Sequence, residues 1–67
     1  MTHKLSDWQS GKTIPAHEGV YKRKNPYHVF YSLFKAGKWM VGWADHREAE
    51  NETFVSLAQG LEWRGIL

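Results

Sequence analysis

The alternation of apolar and polar positions is densest between His28 and Ala44, where two aromatic-rich runs flank the short polar stretch Lys35–Lys38. Period-two alternation is typical of β-strands. The segment therefore predicts a β-hairpin, against which the rest of the chain packs. We expect a three-residue loop over residues 35–37, with Gly37 in the left-handed conformation that glycine tolerates.

This register assigns the hairpin side chains to two faces, held by cross-strand pairs. The mixed face carries His28, Phe30, Ser32, Phe34, Met40, Gly42 and Ala44. On it, Phe30 lies opposite Gly42, and its ring can cover the bare backbone. The other face carries Val29, Tyr31, Leu33, Trp39, Val41 and Trp43. We expect burial of four residues of that second face: Leu33, Trp39, Val41 and Trp43.

The chain before the hairpin divides into an arm and a strand. Residues 1–18 are mostly polar and predict an irregular arm, pinned to the core by Trp8. A strand begins at Gly19, and Asn25-Pro26 predicts the turn that follows it. Residues 19–44 thus form a three-stranded meander, the simplest order for short connections.

A helical period replaces the alternation after Ala44. Apolar residues recur at helical spacing at Phe54, Leu57, Ala58 and Leu61. We expect helix or turn over 45–60, with a helix within 46–59 and in particular over 52–59, ending at Gly60. A strand through residues 53–55 is the competing interpretation. The N-cap candidates are Asp45, Asn51 and Thr53.

The closing segment, residues 61–67, predicts an edge strand. Together these elements predict a single domain over 1–67 of the α+β class, mainly β. Its expected fold is a small twisted antiparallel β-meander of three to four strands with one short helix.

Composition adds that the chain depends on packing for its stability. Its 67 residues include no cysteine but four tryptophans, so dense aromatic packing and self-association are the available stabilising routes. We therefore expect a homodimer or a higher assembly, through edge strands or through the mixed face. Neither a signal peptide nor a 20-residue apolar span is evident, which predicts a cytoplasmic protein.

Charge is unevenly distributed along the chain. The net charge is +2, with the excess of lysine and arginine before Trp39 and the excess of acidic residues after it. This polarity suits a charged partner or head-to-tail pairing with a second copy.

Catalytic and metal-binding patterns are not found in the sequence. The four histidines lack zinc-site spacing, and no cysteine joins them. No serine lies in a nucleophile elbow, and the glycines form no phosphate-binding loop. We expect no enzyme, no cofactor and no metal.

The aromatic excess instead predicts binding. Exposed apolar surface marks protein interfaces, and Trp and Arg are enriched at their hot spots. Our candidate partner-binding residues are Phe30, Phe34, Met40, Trp63 and Arg64. A structural role is the alternative for the last two, with Trp63 under the arm and Arg64 solvated or over a Trp ring.

Two further function classes stay open. Single-stranded nucleic acid would suit rings mixed with basic charge, here Tyr21, Lys22, Arg23, Lys24, Tyr27 and Lys35. The low net charge argues against that class. The third class is a self-assembling structural subunit.

Several short motifs resemble one group of proteins. They are Trp8-x-x-Gly11-x-x-x-Pro15, Gly19-Val20-Tyr21-x-Arg23, Tyr31-Ser32-x-Phe34-x-x-Gly37-x-Trp39, Ser56-x-x-Gln59 and Trp63-Arg64-Gly65. Together they resemble short phage and prophage proteins of unassigned function. The resemblance implies a phage origin and an accessory role in the infected cell, where the protein would bind a host or phage protein. It implies no activity and no binding residues.

Overall fold

The computed structural model describes residues 7–65. It contains four strands and one helix: β1 (Gly19–Lys24), β2 (Val29–Lys35), β3 (Lys38–Trp39), α1 (His46–Glu50) and β4 (Glu62–Arg64). The strands form one antiparallel sheet in the order β3-β2-β1-β4. The predicted fold class, a small antiparallel sheet with one short helix, is confirmed.

The turn between β1 and β2 is built by Asn25, as its sequence indicates. The Asn25 side-chain oxygen accepts hydrogen bonds from the backbone N–H groups of Tyr27 and His28, at 2.8 and 2.7 Å. The Asn25 N–H donates to the His28 carbonyl. These local bonds replace strand pairing and reverse the chain.

The turn between β2 and β3 differs from the prediction. Lys35 pairs with Lys38, so the loop has two residues, Ala36 and Gly37, with φ angles of 54° and 76°. Two positive φ angles are the mark of a type I′ turn. The predicted three-residue loop is wrong, and Phe34 instead of Leu33 pairs with Trp39.

A one-residue change of register exchanges the faces of a strand. Trp39 is 1% exposed, as expected, and it shares the buried face with Phe34 and Ser32. The expected burial of Leu33, Val41 and Trp43 is wrong, since Leu33 is half-buried and the other two are exposed.

Rings pack around Trp39 inside the curled sheet. Tyr21 and Phe34 meet it edge-on, at centroid distances of 5.9 and 5.0 Å, and Trp63 lies 6.2 Å away. These side chains come from all four strands, so the tertiary structure depends on one aromatic cluster. Such pairs add about 0.5–1.5 kcal/mol each beyond area burial.

The helix is shorter and earlier than expected. Asp45 is its N-cap, with a carboxylate oxygen 2.7 Å from the Arg47 backbone N–H, and Ala49 is its buried residue. A helix within 46–59 is confirmed, but the favoured range 52–59 is wrong. There, Val55 bridges Met40 in antiparallel fashion, as the strand interpretation would have it.

The segment after the helix closes the sheet. It lies along the outer edge of β3, where the Gln59 side-chain amide bonds both backbone groups of Trp39, at 2.9 Å each. The chain then reaches the opposite edge as β4. The arm covers β4, because Gln9 and Trp63 exchange two backbone hydrogen bonds.

Candidate functional site

The predicted partner-binding face is largely internal. Phe34 and Met40 are buried, and Phe30 is half-buried. The Phe30 ring covers Gly42, as predicted, since a Cβ added to Gly42 would lie 2.2 Å from a ring carbon. These three side chains therefore already pack within the chain.

Trp63 and Arg64 also have internal contacts. The Trp63 indole N–H donates to the Thr13 carbonyl at 2.9 Å, which places Trp63 beneath the arm. The Arg64 guanidinium lies 4.5 Å from the centre of the Trp8 ring. Both contacts match the structural alternatives stated for these residues, and they show how Trp8 holds the arm.

The predicted nucleic-acid residues are divided between different parts of the molecule. Tyr21 and Arg23 face the aromatic cluster. Lys22 and Lys24 alternate with them, and the Lys24 ammonium is 3.2 Å from a Glu62 carboxylate oxygen. The last two members lie at the β1–β2 turn and at the end of β2, namely Tyr27 and Lys35.

Arg23 is a fully buried charge that the sequence does not reveal. Its guanidinium lies 4.5 Å from the Trp39 ring centre and donates one bond, of 2.7 Å, to the Ala58 carbonyl. Its Nε and Nη1 atoms have no hydrogen-bond partner among residues 7–65. Burial lowers the pKa of Arg23 to about 10, because desolvation disfavours the cation.

Exposed apolar side chains gather just after β3 and on the segment that borders it. We call this set the edge patch, and its exposed fractions range from 38% to 105%: Val41, Trp43, Phe54, Val55 and Leu57. The Val41 N–H donates to the Phe54 carbonyl at 2.8 Å, which joins the two halves of the patch. Exposed apolar surface of this kind marks interaction sites.

The backbone at the edge patch is open on its outer side. Phe54 and Ser56 bond inward, to Val41 and Trp39. Because strand backbone groups alternate in direction, the N–H and C=O of Val55 point outward. Neither has a hydrogen-bond partner within the described part of the chain.

Glu52 fixes the start of this edge. One carboxylate oxygen accepts from the N–H groups of Thr53 and Phe54, and the other accepts from the Trp43 indole at 2.7 Å. The bonds from Phe54, Trp43 and Thr53 lower the pKa of Glu52, because each stabilises the carboxylate. Glu52 thus stays charged while it orients the patch.

An acidic pocket of about 400 Å³ adjoins the patch at Trp43. Three carboxylates and a single arginine contribute to its lining, which comprises Trp43, Asp45, Arg47, Glu48, Asn51 and Glu52. The pocket gives the edge a local negative charge.

The sequence did not indicate this site, because its helical spacing placed Phe54 and Leu57 on a buried helix face. The uncharged run from Thr53 to Leu61 is the signal that could have indicated an unprotected edge.

Other kinds of site find no support in the described residues. Across residues 7–65, no group of three His, Cys, Asp or Glu side chains is placed to hold a metal ion. Over the same range, no helix has the length and apolar character to cross a membrane. No protein-family model matches the chain, and neither a curated protein nor a solved structure matches it.

Proposed function

We propose that this chain is a small non-enzymatic protein-binding module and that the edge patch is its binding surface. The observation that carries the proposal is the exposure of Phe54 and Leu57, 73% and 105%, beside an open backbone edge. Burying such side chains against a partner gains about 25 cal/mol per Å² of apolar area. Within the chain, they remain in solvent.

The partner in this proposal is a host or phage protein. The resemblance to short phage and prophage proteins supports an accessory role in the cytoplasm of an infected cell. The edge patch replaces the mixed hairpin face as the proposed surface, since Phe34 and Met40 lie in the core.

The nucleic-acid alternative has weaker support from the geometry. The register places Lys22 beside Arg64, so basic charge does gather on the outer face of β1 and β4. The Trp8 ring there is already stacked by Lys24 and Arg64, each 4.5 Å from its centre. Stacking of bases needs free ring faces, and those of Trp8 are in use.

Affinity capture from a host lysate, with and without nuclease, tests the function. The proposal predicts a protein band that survives nuclease treatment, and a band that disappears would favour nucleic acid. The Phe54→Ser variant should no longer capture that protein. Ile14→Ser is the matched control, because Ile14 is 64% exposed on the arm, outside the patch. Equal capture by both variants would contradict the proposal.

A further inference from the structure

The outer side of the edge patch presents one outward pair of strand backbone groups, at the isolated bridge of Val55 with Met40. These groups are the N–H and C=O of Val55, which follows Phe54 and lies two residues before Leu57. Proteins usually protect such edges with charges, proline or bulges. No charged residue or proline occurs between Thr53 and Leu61.

The two edges of the sheet differ in whether their outer backbone groups are hydrogen-bonded. At β4, the Gln9 backbone occupies the outer side through bonds of 2.7 and 3.3 Å to Trp63. At Val55, no described segment does so. The open edge therefore remains available to a strand from another chain.

Charge at one end of the open edge favours a basic strand. Residues 45–52 carry four carboxylates and one arginine. The acidic pocket lies beside Trp43, whose indole is bonded to Glu52, the residue that holds the Phe54 N–H. A lysine or arginine side chain extending from an added strand would enter this pocket over an aromatic ring.

We propose, resting on the function proposed above, that the partner supplies an extended segment that adds to the sheet at Val55. Its apolar side chains would pack on Phe54 and Leu57, and a basic side chain would occupy the acidic pocket beside Trp43. Main-chain bonds provide affinity in this mode, and alternate side chains provide specificity.

Selection from a displayed library of random 12-residue peptides tests the proposal with a defined probe. The full chain should enrich peptides that are rich in apolar residues and carry a lysine or arginine near one end. Enrichment of no peptide, or of peptides without basic residues, would overturn the proposal.

A matched pair of variants then tests strand addition with the enriched peptide. Val55→Pro removes the outward N–H but no described internal bond, whereas Val55→Thr keeps the N–H and the β-branched shape. Binding should weaken about tenfold for the proline variant, the loss expected for one hydrogen bond, and stay within about twofold for the threonine variant. Equal binding by both would overturn strand addition.

If Val55→Pro fails to fold, amide hydrogen exchange of the parent chain tests strand addition instead. The Val55 amide should exchange more slowly once the peptide is bound, and unchanged exchange would overturn the proposal. If Phe54→Ser abolishes protein capture but Val55→Pro binds normally, strand addition fails while the protein-binding function stands.

A second copy of the chain is the other candidate for this edge. Sedimentation equilibrium of the parent and Val55→Pro distinguishes it. The proposal predicts that the parent chain does not self-associate through this edge, even at high concentration. A dimer abolished by Val55→Pro would assign the edge to self-association and overturn the proposal.

Discussion

Arg23 lies inside the curled sheet, where its guanidinium packs on Trp39 and has one described hydrogen-bond acceptor. A buried charge pays a desolvation penalty of several kcal/mol, which a cation–π contact of about 2 kcal/mol and one hydrogen bond offset only in part. The alternation of β1 predicts that Arg23 shares a face with Tyr21. It does not predict that the sheet curls over both side chains.

Arg23→Met should therefore preserve the fold and leave its stability unchanged or raise it by up to about 4 kcal/mol, because methionine fills similar volume without charge. Urea unfolding measures the change. Arg23→Ala is the control, expected to lose about 2–5 kcal/mol through the cavity beside Trp39. A methionine variant less stable than the alanine variant would contradict this account of Arg23.

Trp39 is the residue for which the sequence prediction was most successful, since its burial was expected despite the wrong register. Trp39→Ala should cost about 3–5 kcal/mol, because it empties the centre of the aromatic cluster. Against a total stability of about 5–15 kcal/mol, much of the population would unfold on mild heating. A melting temperature within about two degrees of the parent would refute the central position of Trp39.

At the scale of elements, the hairpin of β2 and β3 forms as predicted, and its loop shows why the predicted register was wrong. Type I′ turns are usually recognised from Asn-Gly or Asp-Gly. Here the first positive φ angle belongs to Ala36, and an alanine in the sequence gives no signal for that conformation. The strand that follows the loop also contains a bulge. Phe34 pairs with Trp39 and Tyr31 pairs with Trp43, so this strand has one more residue between the two pairs than β2 has.

The segment after α1 does not form the predicted helix, and the reason differs from that at the loop between β2 and β3. Its apolar residues have helical spacing, but the Glu52 carboxylate accepts the N–H groups of Thr53 and Phe54 at the start of a segment that is not helical. Phe54 and Ser56 then bond to Val41 and Trp39, where tertiary pairing overrides the helical period. The open edge is a consequence of that pairing and was not visible in the spacing of residues.

Glu52 should make this segment sensitive to acid. Its folded pKa lies below the ordinary value of 4.5, so its stabilising contribution is present above that pH and is lost as pH falls through the folded pKa. In an NMR titration, the Thr53 and Phe54 amide signals should shift with a midpoint below 4.5. Glu52→Gln should remove that transition, and a midpoint at or above 4.5 would contradict the anchoring role.

At the scale of the whole molecule, the short motifs singled out in the sequence coincide with the structural centre. Members of those motifs are buried at or beside the aromatic cluster, bond the backbone of β3 or hold the arm: Trp8, Tyr21, Arg23, Ser32, Phe34, Trp39, Gln59 and Trp63. The motifs therefore consist of residues that build the fold. None of the edge-patch residues is one of their named positions.

The fold could be predicted from the sequence, whereas the candidate site could not. Strand alternation and turn residues were enough to predict the small antiparallel sheet, because these signals are local. The candidate site depends on which face curls inward and on which edge stays unpaired. Both are set by contacts between distant residues, such as that of Gln59 with Trp39.

The most direct test of the edge patch as the binding surface is the dissociation constant for the captured protein. Calorimetric titration would compare the parent with Phe54→Ser and with Ile14→Ser, which remove exposed apolar side chains inside and outside the patch. We predict that Phe54→Ser weakens binding at least tenfold, about 1.4 kcal/mol, and that Ile14→Ser stays within about twofold. Unchanged binding by Phe54→Ser, or equal losses for both variants, would contradict the account.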